Sequence, residues 1–222
     1  MALITDALCY PLRGNGGILI LTGAVLLAAL SLFLGIPRLG FLITLFIFGY
    51  FGAHFIEVVN LTVQGRDEPP DWPAVTDIAE DIVGPLIRLV GLLLISFGPL
   101  AMVRYFGAEM GGWSRAGMIG AGLWAATYFP MSLIAVAVTD QLAAASPHIV
   151  LPAIGRSLPG YLLNVVYLVG VWIGLTGIQW TALQIPYVGS FLASLSGLYG
   201  VILLARGVGL TYRRQRDRLG WE

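Results

Sequence analysis

Lysine is absent from this 222-residue chain, and all twelve basic residues are arginine. That excludes a Schiff-base lysine and the lysine of a phosphate-binding loop. Cysteine occurs once, at Cys9, so neither an internal disulfide nor a cysteine zinc cage can form. Histidine occurs twice, at His54 and His148, and two ligands so far apart in sequence argue against a catalytic transition-metal site. Charge is scarce as well. Only 11% of residues are charged, against about a quarter in a soluble domain. Twelve acids balance twelve bases, which points away from nucleic acid as a partner. Phosphate-loop, nucleophile-elbow, paired-histidine zinc and dinucleotide signatures are missing too. No catalytic residue, metal ligand or cofactor site can be named, and the chain leans away from an enzyme.

What the chain has in abundance is apolar length. Its hydrophobic share is 58% and its mean hydropathy +0.86, so the expected solvent is the lipid bilayer. A helix needs about 20 apolar residues to cross the hydrocarbon core. Six stretches qualify, near 17–35, 41–60, 84–104, 115–138, 160–179 and 187–207. The first two are joined by Gly35-Ile-Pro-Arg-Leu-Gly40. Together they would make about 66 Å of helix, too long for one crossing. The expected fold is an all-α integral membrane bundle of six transmembrane helices in a single membrane domain, 1–222. Five spans plus a re-entrant first hairpin is the alternative. No secretory leader is expected, because 1–16 carry Asp6, Pro11 and Arg13 and the apolar run that follows is long enough to span.

Arginines set the expected orientation, since short cytoplasmic segments collect them. With the N-terminus inside, the inner side holds Arg13, Arg66, Arg88, Arg156, Arg206, Arg213, Arg214, Arg216 and Arg218. The outer side holds Arg38, Arg104 and Arg115. Both termini are therefore expected in the cytoplasm, with an Arg-rich tail over 208–222. Interfacial helices are expected near 2–10, 75–83 and 147–157. The clearest is 75–83, where Val75, Ile78, Ala79, Ile82 and Val83 follow helical spacing. Short matches also hint at a duplication: Tyr10 to Arg13 with 151–156, and Gln64 to Trp72 with Gln215 to Trp221.

Two groups of residues are candidates for function. Segment 65–81 holds half of the chain's acids: Asp67, Glu68, Asp71, Asp77, Glu80 and Asp81, with Trp72 among them. Its three prolines exclude helix before about Trp72. The simpler reading, which the composition favours, is that this loop folds over the Arg-rich tail, 206–218, with Arg213, Arg214, Arg216 and Arg218, and that the charges neutralise each other. The sharper reading makes loop and tail a docking surface for a membrane or cytoplasmic protein partner. The second group is a candidate intramembrane polar site. His54, Glu57, Asn60 and Gln64 share one face of the second span; Arg88 and Asn164 lie within reach in the expected bundle. A structural role near the interface is the simpler reading here too. Pro99 and Pro130 interrupt spans with no charged neighbour and read as kinks. Glycine spacings at 49/52, 117/120, 170/174 and 197/200 mark close helix packing, within the chain or in a homo-oligomer.

Three segments carry a resemblance: Asp6-Ala-Leu-Cys-Tyr-Pro-Leu-Arg-Gly-Asn-Gly16, Gly65-Arg-Asp-Glu-Pro-Pro-Asp-Trp-Pro73, and Gly209-Leu-Thr-Tyr-Arg-Arg-Gln-Arg-Asp-Arg-Leu-Gly-Trp221. In order and spacing the chain resembles bacterial polytopic membrane proteins catalogued as domain of unknown function 4013. Cys9 departs from that pattern, standing where Arg or another polar residue is usual. The resemblance implies a bacterial inner-membrane architecture and no particular activity. The expected function is a non-enzymatic scaffold or accessory subunit of a membrane complex. A small-solute or ion transporter or channel, or a lipid-handling protein, is the alternative.

Overall fold

The computed structural model describes residues 7–31, 36–107 and 113–219. Among them every regular element is helical. After a 3-10 turn at Tyr10–Leu12 come α1 (Gly16–Ser31), α2 (Pro37–Gln64) and a π-helical turn, Ala79–Val83, that runs into α3 (Gly84–Phe106). Then follow α4 (Trp113–Thr139), a 3-10 turn at Leu142–Ala145, α5 (Pro147–Leu183) and α6 (Gly189–Leu219). Among the described residues five segments are long and apolar enough to cross a membrane: Arg38–Val63, Ala79–Phe106, Arg115–Thr139, Gly160–Leu183 and Gly189–Leu219. The stretch expected to span first appears as α1, whose apolar part, Gly16–Leu30, is shorter. At 1.5 Å per residue it reaches about 22 Å, less than the hydrocarbon thickness. Residues 32–35 of that stretch lie outside the described residues.

Helix α6 is the hub. It packs on α5, α2 and α1, and its buried positions run from Leu198 to Leu219. The pairing of α5 with α6 is an antiparallel hairpin, with Gly200 against Leu175 and Gly197 against Gln179. These glycines fill the packing role their spacing suggested, whereas Gly170 and Gly174 face open space. The second buried column is α4, where Tyr128, Met131, Leu133, Ile134 and Val136 are almost wholly enclosed. Helices α3 and α4 run antiparallel, tied by Phe97 on Phe129 and by an Arg88–Asp140 ion pair. Both α3 and α4 continue as helix through Pro99 and Pro130.

At the α2–α6 crossing a Cβ on Gly209 would come within 2.5 Å of Thr62 Cβ and 3.0 Å of the Val59 carbonyl. Neither helix backbone can retreat without losing its other contacts. Gly209→Ala is therefore expected to cost about 1–3 kcal/mol by overpacking, read as a lowered melting temperature in detergent.

Several expectations need correction. Segment 147–157 is not a separate interfacial helix but the first three turns of the continuous α5, with Val150, Ala153 and Ser157 buried on one face. The helix at 75–83 is shortened, because Asp77 and Asp81 cap it. The Asp81 carboxylate accepts from the Thr76 and Asp77 amides at 2.7 and 2.9 Å, and Asp77 Oδ1 accepts from the Ala79 amide at 2.7 Å. Of its apolar face only Ile82 is buried. Of the helix expected at 2–10, residues 2–6 lie outside the described residues and 7–9 are helical. The hairpin expected of the first two spans is also not a packed pair: among the described residues α1 and α2 each lie on α6 rather than on each other. The duplication therefore has no counterpart in packing, since α5 and α6 do form a hairpin.

Candidate functional site

Helix α2 ends at Gly65, whose φ of 93° closes the last turn through bonds to the Leu61 and Thr62 carbonyls. Positive φ suits glycine alone among common residues at no steric cost. The chain then turns back. Arg66 and Asp67 sit beside Thr62 and Arg206. Trp72 reaches His54, Phe51 and Tyr50. Ile82 abuts Gly49, so α3 starts beside the middle of α2 rather than at its end. Residues 65–78 thus form an extended strap lying back along α2 from Gln64 to Tyr50, about 21 Å. Pro69, Pro70 and Pro73 keep it from coiling.

A non-helical segment beside apolar helices must have its backbone satisfied by protein. Side chains from three elements do this. Arg206 of α6 donates to the Arg66 carbonyl at 2.6 Å and to Asp67 Oδ1 at 2.7 Å. Tyr10 donates to the Glu68 carbonyl at 3.0 Å, and Tyr50 of α2 to the Pro73 carbonyl at 3.2 Å. Trp72 Nε1 donates to Thr22 Oγ1 of α1 at 3.2 Å. Trp72 is also why α1 and α2 stand apart: its indole lies between them.

Arg206 is the electrostatic anchor. Only 1% of it is exposed, and its guanidinium lies 4.3 Å from the centre of the Tyr10 ring. Hydrogen bonding to Arg206 holds the Asp67 carboxyl below the usual carboxylate range, assisted by the charges of Arg206, Arg213 and Arg13. Burial raises the Tyr10 phenol, against the pull of Arg206. The depressed Asp67 value stabilises the fold fully above the unfolded carboxylate's 3.8, and this contribution is lost as pH falls through the lower folded value. Stability measured against pH should therefore fall below about pH 4 in the native chain, and less steeply in Asp67→Asn.

Over the strap's first turn opens a cleft of about 600 Å³, lined by Glu57, Leu61, Arg66, Asp67, Glu68, Pro69, Pro70 and Asp71. It joins the two candidate groups at one point, since Glu57 comes from the polar face of α2 and the other acids from the loop. Glu57, Glu68 and Asp71 are exposed at its rim. The α6 tail carries exposed Arg213, Arg214, Arg216 and Arg218, with Tyr212, Gln215 and Leu219 buried beneath. Arg213 comes within 3.9 Å of Asp67.

The remaining candidates are dispersed. Asp77 and Asp81 are spent on capping; Glu80 is exposed. Trp72 is packed inward against His54 and is half-buried. His54 is buried, Asn60 accepts from Gln64 at 3.0 Å, and Arg88 is committed to Asp140. Asn164 lies on α5, with α6 between it and Glu57, and its buried amide nitrogen has no partner among the described residues. The intramembrane polar set is not one site. Sequence reasoning missed Tyr10 as an anchor and counted Arg206 only among the charges of the tail. The signal for Arg206 was a charge placed inside the last apolar stretch; Tyr10 carried none.

No protein-family model, curated protein or solved structure matches this chain.

Proposed function

We propose that this chain is a non-enzymatic polytopic protein of a bacterial inner membrane, with six spans and both termini in the cytoplasm. It serves as a scaffold or accessory subunit whose charged end docks a protein partner. The observation that carries this reading is what the internal neutralisation leaves over. Of the strap's first acids, Asp67 alone is paired with arginine among the described residues. Glu57, Glu68 and Asp71 stay exposed around an open cleft beside the four exposed arginines of the tail. A strap held by the bundle at its inner face presents those acids in a fixed geometry, which lowers the ordering cost of binding. The transport reading has less support, because the polar residues it needs are spread over separate contacts. The lipid-handling reading also loses support, because 147–157 belongs to a long packed helix.

The test is gentle extraction into nanodiscs from the native membrane, with mass spectrometry of what accompanies the protein. Glu68→Lys with Asp71→Lys should release a stoichiometric partner while leaving the unfolding free energy within about 1 kcal/mol of native, as for exposed charges. Retention of every partner by the charge-reversed protein would sink the reading.

A further inference from the structure

Trp72 occupies a slot that is built by other elements. Tyr50 stacks on its indole at 5.7 Å between centroids, Phe51 meets it edge-on at 5.4 Å and His54 lies at 4.8 Å. Thr22 takes its N–H. Gly23 forms the floor, where a Cβ would stand 2.6 Å from the indole and 2.8 Å from Leu198. The walls belong to α1, α2 and α6; the occupant alone belongs to the strap. The strap's attachments at Arg206 and Tyr10 are hydrogen bonds to its backbone and to one exposed carboxylate and lie outside the slot, whereas Tyr50 both walls the slot and donates to the Pro73 carbonyl.

The resident ring does not satisfy its slot. His54 is 2% exposed, and neither ring nitrogen has a partner among the described residues. A buried polar group left this way is costly and calls for an explanation. The indole cannot supply the partner, since its single N–H is a donor already given to Thr22. A ring of similar shape with a hydroxyl group could donate to one nitrogen of His54 and still stack on Tyr50.

The geometry points to a binding slot between α1 and α2 for a neutral planar phenol, which Trp72 of the strap fills in the closed state. Ligand and Trp72 compete, so affinity rises with the fraction of molecules whose strap is released. The docking reading concerns the closed strap and this inference the released one, and each is tested by its own variants.

Full-length protein in nanodiscs is dialysed against 2-naphthol, with empty nanodiscs as the partition control. Saturable one-to-one binding is expected, tightened about tenfold when Asp67→Asn or, separately, Tyr10→Phe loosens the strap. His54→Leu should weaken binding about tenfold, and 2-methylnaphthalene, which lacks the hydroxyl, should bind native and His54→Leu protein equally. Uptake no greater than into empty nanodiscs by both loosened variants would overturn the proposal. So would affinity untouched by His54→Leu, the outcome expected if a trapped water serves the imidazole. Tyr10→Phe leaves the Arg206–Asp67 pair in place, so one loosened variant remains folded if Asp67→Asn does not.

Discussion

Asp67→Ala should destabilise the protein more than Arg206→Met, although the two side chains form one ion pair. The asymmetry follows from exposure. Asp67 is 67% exposed in its side chain and Arg206 1%. Removing the carboxylate takes an acidic partner at 2.7 Å from a guanidinium in a dry site, where the Thr62 hydroxyl, the Arg66 carbonyl and the Tyr10 ring stay in contact with it. Breaking a buried pair from one side costs about 3–5 kcal/mol. Water at the Asp67 end screens the pair, which brings the expected loss to about 2–3 kcal/mol. Removing Arg206 instead leaves an exposed carboxylate that rehydrates, and Met refills much of the volume. The expected loss is then about 1–2 kcal/mol, mainly the Arg66 hydrogen bond and the Tyr10 contact. Thermal or denaturant unfolding of the two variants in the same detergent gives the comparison. Equal losses would mean that Asp67 is not the counter-charge that makes burial of Arg206 tolerable.

Trp72→Ala should cost about 3 kcal/mol, near the low end for truncating a large buried aromatic because the residue is half-buried. The indole is the element that joins α1, α2 and α6 where α1 and α2 do not meet. Its loss leaves a space walled by Tyr50, Phe51, His54 and Leu198 that collapse cannot readily close, because Gly23 offers no side chain. Trp72→Phe should recover about half the loss, since it keeps the ring stacking and forgoes the bond to Thr22. The melting temperatures of the three proteins check this ranking. A Trp72→Ala variant as stable as the native chain would mean that the strap lies on the surface and does not reach into the bundle.

The helical architecture was legible because apolar length and proline or glycine breaks act locally. Spans two to four fall within a few residues of α2 to α4, whereas α5 begins thirteen residues before the fifth span and α6 runs twelve residues past the sixth. What the sequence did not disclose is where the loop goes. A run such as Gly65-Arg-Asp-Glu-Pro-Pro-Asp-Trp-Pro73 is polar enough to read as solvent-exposed, and its inward turn depends on Tyr10, Thr22, Tyr50 and Arg206, all distant in sequence. The idea that loop and tail neutralise each other proved half right: Asp67 pairs with Arg206 and approaches Arg213, while Glu68 and Asp71 remain at the cleft. Grouping His54, Glu57 and Asn60 by helical spacing placed them on one face, but neighbours differ along that face. His54 is covered by Trp72, and Glu57 opens on the cleft. Asn164 could not be placed without knowing that α6 lies between α2 and α5.

The docking account requires the strap acids and the arginine tail to face the same aqueous compartment, the cytoplasm, with the α5–α6 turn on the other side. Single cysteines at Asp71, Arg216 and Tyr187, each in a Cys9→Ser background, measure this directly when intact cells and lysed membranes are treated with a membrane-impermeant maleimide. The account predicts labelling of Tyr187→Cys in intact cells, and of Asp71→Cys and Arg216→Cys only after lysis. Labelling of Asp71→Cys in intact cells, or of Asp71→Cys and Arg216→Cys from opposite sides, would contradict it.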